Sequence, residues 1–192
     1  WCIVDREIEG VKQKYVEFFD QSVFTDSTLT YPPDDGFAYP PLQVVGGLSH
    51  LEGKTVTIKA DGSTHPDLTV TGGQVELNAE YTNIEIGLKY IPRLKLQRFA
   101  LANESANLQG MKGRWVEVFL RLVDSAYPRV DGVRAAERRP STPMNTVEPT
   151  VTADVKITNL GFDREKQLVI EQDLPVPLHI TAIFGVLEVG QG

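Results

Sequence analysis

Lys54-Thr-Val-Thr-Ile-Lys-Ala60, followed at once by Asp61-Gly62, sets the fold class of this chain. Val56 and Ile58 point to one side of an extended backbone, and Thr55, Thr57 and Lys59 point to the other. That period of two predicts a half-buried β-strand, and Asp-Gly predicts the tight turn that ends it. Moving outward, Leu68-Thr-Val70 runs into a turn at Gly72-Gly73, and Val75-Glu-Leu77, Ile84-Glu-Ile86 and Leu94-Lys-Leu96 follow at similar spacing. Short strands divided by glycine turns predict a small β-barrel or sandwich over residues 42–98, and the barrel is the expectation, because closure hides edges that such pieces would otherwise expose.

The flanks repeat the pattern. Cys2 to Ile8 and Lys14 to Phe19 predict a hairpin around Glu9-Gly10, and Thr25 to Pro41 predicts a proline-rich loop in which Leu29 and Tyr31 make a short edge pairing. Ala100 to Lys112 loses the alternation, and Asn103 to Gln109 suits one helical turn or a crossing loop. Trp115 to Val123 is apolar on both faces: Val116, Val118, Leu120 and Leu122 share one side, and Trp115, Phe119 and Val123 the other with Glu117 and Arg121. A strand of that kind belongs in the middle of a sheet. A second proline-rich loop spans Arg134 to Thr150, before strands at Val151 to Thr158, Gln167 to Gln172 and Leu178 to Val189. The expected architecture is therefore all-β. Residues 1–41 and 99–192 build a discontinuous, β-sandwich-like platform, and the barrel of 42–98 is inserted into it.

Composition narrows the function classes. At 192 residues, with 41% hydrophobic and 23% charged, the chain can bury a real core. No apolar run reaches the length of a bilayer-spanning helix. The chain opens at Trp1 inside a patterned segment, which points to a fragment or a processed product. Its 19 basic residues stand against 26 acidic ones, for a formal charge of −7, whereas a nucleic-acid reader needs surplus cations to neutralise phosphates. The single cysteine, Cys2, leaves no disulfide framework or Cys-pair metal motif.

Each candidate for chemistry has a simpler reading. His50, His65 and His179 lack metal-ligand spacing, and Asp61 and Asp67 beside the second do not supply one. No serine occupies a Gly-x-Ser-x-Gly elbow, and Gly46-Gly47 and Gly72-Gly73 lack the following helix that phosphate cradling requires. Their simpler role is a turn that needs positive φ. Asp34-Asp35 and Arg138-Arg139 read as solvated loop charges, the arginines also as a contact to a neighbouring subunit. Trp115, Phe99, Phe119 and Tyr127 read as core or interface anchors. The expectation is a non-catalytic module with no catalytic residues, no metal and no cofactor.

The central run carries a resemblance. Val45-Gly-Gly-Leu-Ser-His-Leu-Glu-Gly-Lys-Thr-Val56, Ala60-Asp-Gly62, His65-Pro-Asp67, Val70-Thr-Gly-Gly73 and Ile86-Gly-Leu-Lys-Tyr90 resemble the podovirus-type phage tail nozzle proteins, also called tail tubular or virion stabilisation proteins. Trp1 to Gly10 with Tyr15-Val-Glu17, Asp154 to Ile157, Ile170 to Leu178 and Thr181-Ala-Ile183 are similar to the same family, so the likeness covers most of the chain. The resemblance implies the C-terminal part of a longer virion protein. It would be a subunit of a ring, hexameric in the family, that contacts other tail proteins and passes genomic DNA through its lumen without specific binding. An acidic wall suits such a conduit because it repels phosphates. The alternative is a carbohydrate- or receptor-binding β module of a phage tail or surface protein, which an exposed aromatic patch or a ligand-sized groove would favour.

Overall fold

In a computed structural model of the chain, residues 1–8, 10–33, 36–97, 102–103, 106–107, 113–134, 150–158 and 167–189 are described, with only the backbone given at 102, 103, 106, 107 and 189. The chain is all-β, and its described residues up to Tyr90 form one compact unit while those from Ile91 onward form a second.

The first unit opens with β1 (Cys2–Ile8) and β2 (Val11–Glu17), an antiparallel hairpin in which Ile3 faces Val16 and Asp5 faces Lys14. Next come β3 (Asp26–Tyr31), β4 (Leu42–Val45), a 3-10 turn (Ser49–Leu51), β5 (Thr55–Ala60), β6 (Ser63–Thr69), β7 (Val75–Tyr81) and β8 (Ile84–Leu88). Alternation places Val56 and Ile58 of β5, Ile84 and Ile86 of β8 and Val75 and Leu77 of β7 in one buried cluster, with Leu48 and Leu51 from the 3-10 turn. Burying each such side chain contributes roughly 1.5–3 kcal/mol.

The ladders form two separate sheets around this core, one ordered β3-β8-β5-β6 and the other β4-β7. They do not run into one closed cylinder. The strand content expected of residues 42–98 is present, but two of its assignments change. Asp26–Tyr31, expected to join the flanks, pairs along β8 with Leu29 opposite Ile86. Leu94, expected in the barrel, belongs to the second unit. Arg6 ties the hairpin to β3, its guanidinium donating to the carboxylates of Glu17 (2.9 and 3.0 Å) and Asp26 (3.1 and 3.3 Å).

The second unit holds β9 (Arg93–Lys95), β10 (Ala102–Asn103), β11 (Ala106–Asn107), β12 (Gly113–Ser125), β13 (Arg129–Val130), β14 (Val133–Arg134), β15 (Val151–Thr158), β16 (Val169–Glu171) and β17 (Ile180–Val189). β12 is central in a sheet ordered β15-β12-β17, as its two apolar faces predict, and a second sheet runs β14-β13-β16-β9. Val118, Leu120 and Leu122 of β12 pack with Val130, Val155, Ile157, Leu168 and Ile170 in one core drawn from both sheets. In the stretch expected as one helical turn or a crossing loop, Asn103, Ala106 and Asn107 lie in a two-residue antiparallel pair, β10 with β11, and residues 104–105 and 108–109 lie outside the described residues.

Trp115 is a correction with a specific cause. Between Trp115 and Glu117 the register against β17 slips by one residue, so Val116 is extra. A bulge turns the alternation over. Trp115 therefore packs against the core cluster instead of sharing the outer face with Phe119.

An arginine pair closes the β13–β14 end. Arg129 Nε donates to Asp173 Oδ2 at 2.7 Å, and Arg134 donates to Oδ1 at 2.5 Å. Partial burial pushes the Asp173 carboxyl up, but the two guanidinium groups outweigh it and hold the carboxyl below its usual range. A depressed folded pKa contributes stability that is present above the unfolded value, about 3.9, and disappears as pH falls through the folded value. Asp173→Asn should therefore lower stability at pH 7 and flatten its decline below about pH 4. Urea melts of both proteins at neutral and acidic pH check this, and identical pH slopes would contradict it.

Candidate functional site

The histidines go to separate partners. His50 Nε2 lies 3.2 Å from the Ser27 carbonyl, with its ring beside Tyr15. His65 Nε2 lies 2.9 Å from Asn78 Oδ1, and the Tyr81 hydroxyl donates to the same oxygen. His179 Nδ1 lies 3.3 Å from the Val123 carbonyl. Asp61 accepts the backbone N–H groups of Thr82 (3.1 Å) and Asn83 (2.7 Å), and Asp67 accepts the Thr57 hydroxyl at 3.0 Å. Cys2 is half-buried in β1. Among the described residues no three His, Cys, Asp or Glu side chains are grouped as metal ligands. Asp34-Asp35, Phe99 and Arg138-Arg139 lie outside the described residues.

The double glycine does form a turn, with φ of +63° at Gly72 and +70° at Gly73. Its N–H groups donate to Glu52 Oε1 and Oε2 at 2.9 and 2.6 Å. The Leu-Glu-Gly and Gly-Gly parts of the central run thus meet in space, and their role there is to hold a loop.

A different set of residues converges on one groove. On the side of the β3-β8-β5-β6 sheet away from the core, the ladder aligns Thr30, Glu85, Lys59 and Thr64 in a row across all four strands. Glu85 is 8% exposed because Phe24 and Thr25 fold over it. Its Oε1 accepts the Phe24 N–H at 2.7 Å and the Thr25 hydroxyl at 3.3 Å. Its Oε2 meets the Lys59 ammonium at 3.5 Å. Lys59 Nζ also sits 4.7 Å from the centre of the Phe24 ring.

Thr30, Lys59 and Glu85 of this row line a groove of about 430 Å³ together with Pro32, Pro33 and Phe37. The Tyr31 hydroxyl donates to the Pro40 carbonyl at 2.6 Å, and the Tyr31 and Tyr39 rings meet edge to face at 5.8 Å. Those contacts tie Tyr31, expected to make a short edge pairing, to Tyr39 and Pro40 at the far end of the proline-rich loop. Sequence reading also missed Glu85 and Lys59. A charged residue between Ile84 and Ile86 was the available signal, but what covers it comes from residues 60 positions away.

Two further surfaces carry exposed apolar groups. On the hairpin's outer face Ile3 (71% exposed) lies opposite Val16 (68%), and the Trp1 and Phe18 rings meet at 5.3 Å. The same face continues into the Asp5–Lys14 ion pair at 2.7 Å. In the second unit, Phe119 and Phe184 stack at 5.4 Å on the outer side of the β15-β12-β17 sheet. Arg121 lies 5.6 Å over Phe184 while pairing with Asp154 at 2.8 and 2.9 Å. β17 is an edge of that sheet among the described ladders, and Glu188 is its only charged residue.

These features define an all-β protein of two sheet-built units whose distinctive groups lie on strand faces, strand edges and one groove. No helix among the described residues is long and apolar enough to cross a membrane. No protein-family model matches the chain, and no match was found among curated proteins.

Proposed function

We propose that this chain is a structural, non-catalytic component of a phage tail, a subunit of the ring that forms the DNA-conducting nozzle. The reading starts from the resemblance of the Val45 to Gly73 run. The observation that supports it best is the hairpin's outer face, where Trp1, Ile3, Val16 and Phe18 are all more than 60% exposed. A two-stranded hairpin is marginal by itself, and a contiguous apolar face on it marks a contact surface. β17 adds a long edge without the lysine or proline that natural edges use against pairing.

In this reading the first unit, two sheets around one core, is an open barrel-like module, and the second is a sandwich-like platform. Loops and strand edges bury the same two surfaces at each head-to-tail contact, as cyclic symmetry requires. Six copies follow from the family. Other tail proteins would be neighbours, the virion tail the location, and DNA would cross the lumen without specific contacts, as a formal charge of −7 favours.

Sedimentation velocity up to about 100 µM tests it. The expected result is one discrete closed oligomer that the surface variants Ile3→Lys and Val16→Lys return to monomer. A chain that stays monomeric throughout, or an oligomer indifferent to both substitutions, would overturn the proposal.

A further inference from the structure

We infer that the outer face of the β1–β2 hairpin binds the same face of a second copy of this chain, across a twofold axis that runs along the strands. The inference rests on one part of the reading above, that the hairpin face is a contact between copies, and it names what lies on the other side. The head-to-tail joints made by loops and strand edges are a separate contact.

The inner face of the hairpin is turned to the first unit, where Arg6 donates to Asp26 and the Tyr15 ring lies beside His50. On the outer face the ladder sets Ile3 opposite Val16, Asp5 opposite Lys14 and Glu7 opposite Lys12, and all six residues are exposed. The charged half of this face therefore carries acids on β1 and bases on β2. The other half is apolar and ends at the Trp1–Phe18 ring contact. Polarity divides the face across the strands, and the sign of charge divides it along them.

That double division selects one partner and one orientation. Two hairpins packed face to face can be related by a twofold axis across the strands or along them. An axis across the strands reverses the order of the rungs. It would set the carboxylates against apolar side chains, which costs desolvation, or over one another. An axis along the strands keeps every rung over its own copy and exchanges the two strands. Ile3 then lies over Val16, and Asp5 over Lys14. Asp5, already 2.7 Å from Lys14 in its own hairpin, gains a second ammonium above it, so four charges of alternating sign close the rung. A face that is complementary to itself in this way fits a second copy of the chain.

The contact is small. Two strands of seven residues cover roughly 24 by 10 Å, which places the interface at the weak end, with Kd of about 10–200 µM.

The test is methyl NMR of the isotope-labelled chain, diluted from about 500 to 5 µM at low salt. The Ile3 and Val16 methyl signals read the hairpin contact and should depend on concentration. Asp5→Lys and Lys14→Asp should each weaken this self-association at least about tenfold, because like charges then face each other twice across the axis. An equimolar mixture of the two variants should recover to within about threefold of the parent, because opposite charges face each other at both crossings. Both positions are exposed, and unchanged Val4 and Ile8 methyl signals on the inner face check that each variant hairpin is intact. If the parent signals depend on concentration but the mixture binds no better than either variant alone, the twofold contact is overturned and the ring reading stands, with the hairpin meeting a different surface. Ile3 and Val16 signals unchanged over the whole dilution would overturn both.

Discussion

Gly185→Ala should destabilise the second unit by about 3 kcal/mol, the upper end of what a forced methyl group costs in a packed site. A Cβ built at Gly185 would run into the Glu117 carbonyl oxygen and stand 3.1 Å from the Val118 Cα. Both obstacles are backbone, so no rotamer change relieves them. The crowding comes from the β12 bulge, where Glu117 pairs with Val186 and Val118 with Gly185 just after the extra Val116. Intrinsic preference points the other way, since glycine weakens a strand interior. The sign of the effect therefore separates the packing account from propensity. Gly46→Ala is the control: an added Cβ there meets nothing within 4 Å, and the change should stay within about 0.5 kcal/mol. Trp115 emission follows urea unfolding of the second unit, because the only other tryptophan, Trp1, is 89% exposed, and far-ultraviolet circular dichroism, which reports both units, reads the Gly46→Ala control. A Gly185→Ala protein as stable as the parent would refute this description of the bulge.

Glu52→Ala should lower the stability of the first unit by about 2–3 kcal/mol. Its carboxylate receives both turn N–H groups, and hydrogen bonds to a charged acceptor contribute about 1.5–3 kcal/mol each before allowance for exposure. The Gly72–Gly73 turn is also held from the other side, where the Leu48 N–H donates to the Gly73 carbonyl at 2.9 Å. Leu48 is fully buried, so loosening the turn reaches the core directly. Glu52→Gln keeps one acceptor oxygen and should recover part of the loss. Amide exchange at Gly72 and Gly73 reads the same bonds locally. Unchanged protection of those amides in Glu52→Ala would show that the carboxylate does not hold them.

Local chemistry made most of the strands legible. Val56 and Ile58 alternate with Thr and Lys, and both are fully buried in β5. Val151 to Thr158 is a strand with the bounds its alternation predicts. Asp61-Gly62 and Gly72-Gly73 turn with positive φ, and the doubly apolar Trp115 to Val123 segment sits at the centre of its sheet. Each of these outcomes depends on the order of neighbouring residues, because side-chain direction in a strand repeats every two positions and a tight turn needs particular backbone angles.

Tertiary structure decided which strands met. Leu94 reads as one more barrel strand, yet its partner is Ile170, and Leu29 finds Ile86 across more than fifty residues. Pairing is a long-range choice set by which apolar faces can be buried together, and a period of two is the same for every partner. The bulge at Val116 exists only in the register between β12 and β17, so no reading of β12 alone could turn Trp115 inward. The groove follows the same logic. Glu85 becomes a buried acceptor because Phe24 and Thr25 cross it, and Phe37 lines the same groove from a loop nearly fifty residues earlier in the chain. Alternation along one strand determines the direction of a side chain, whereas what covers it comes from segments far away in sequence.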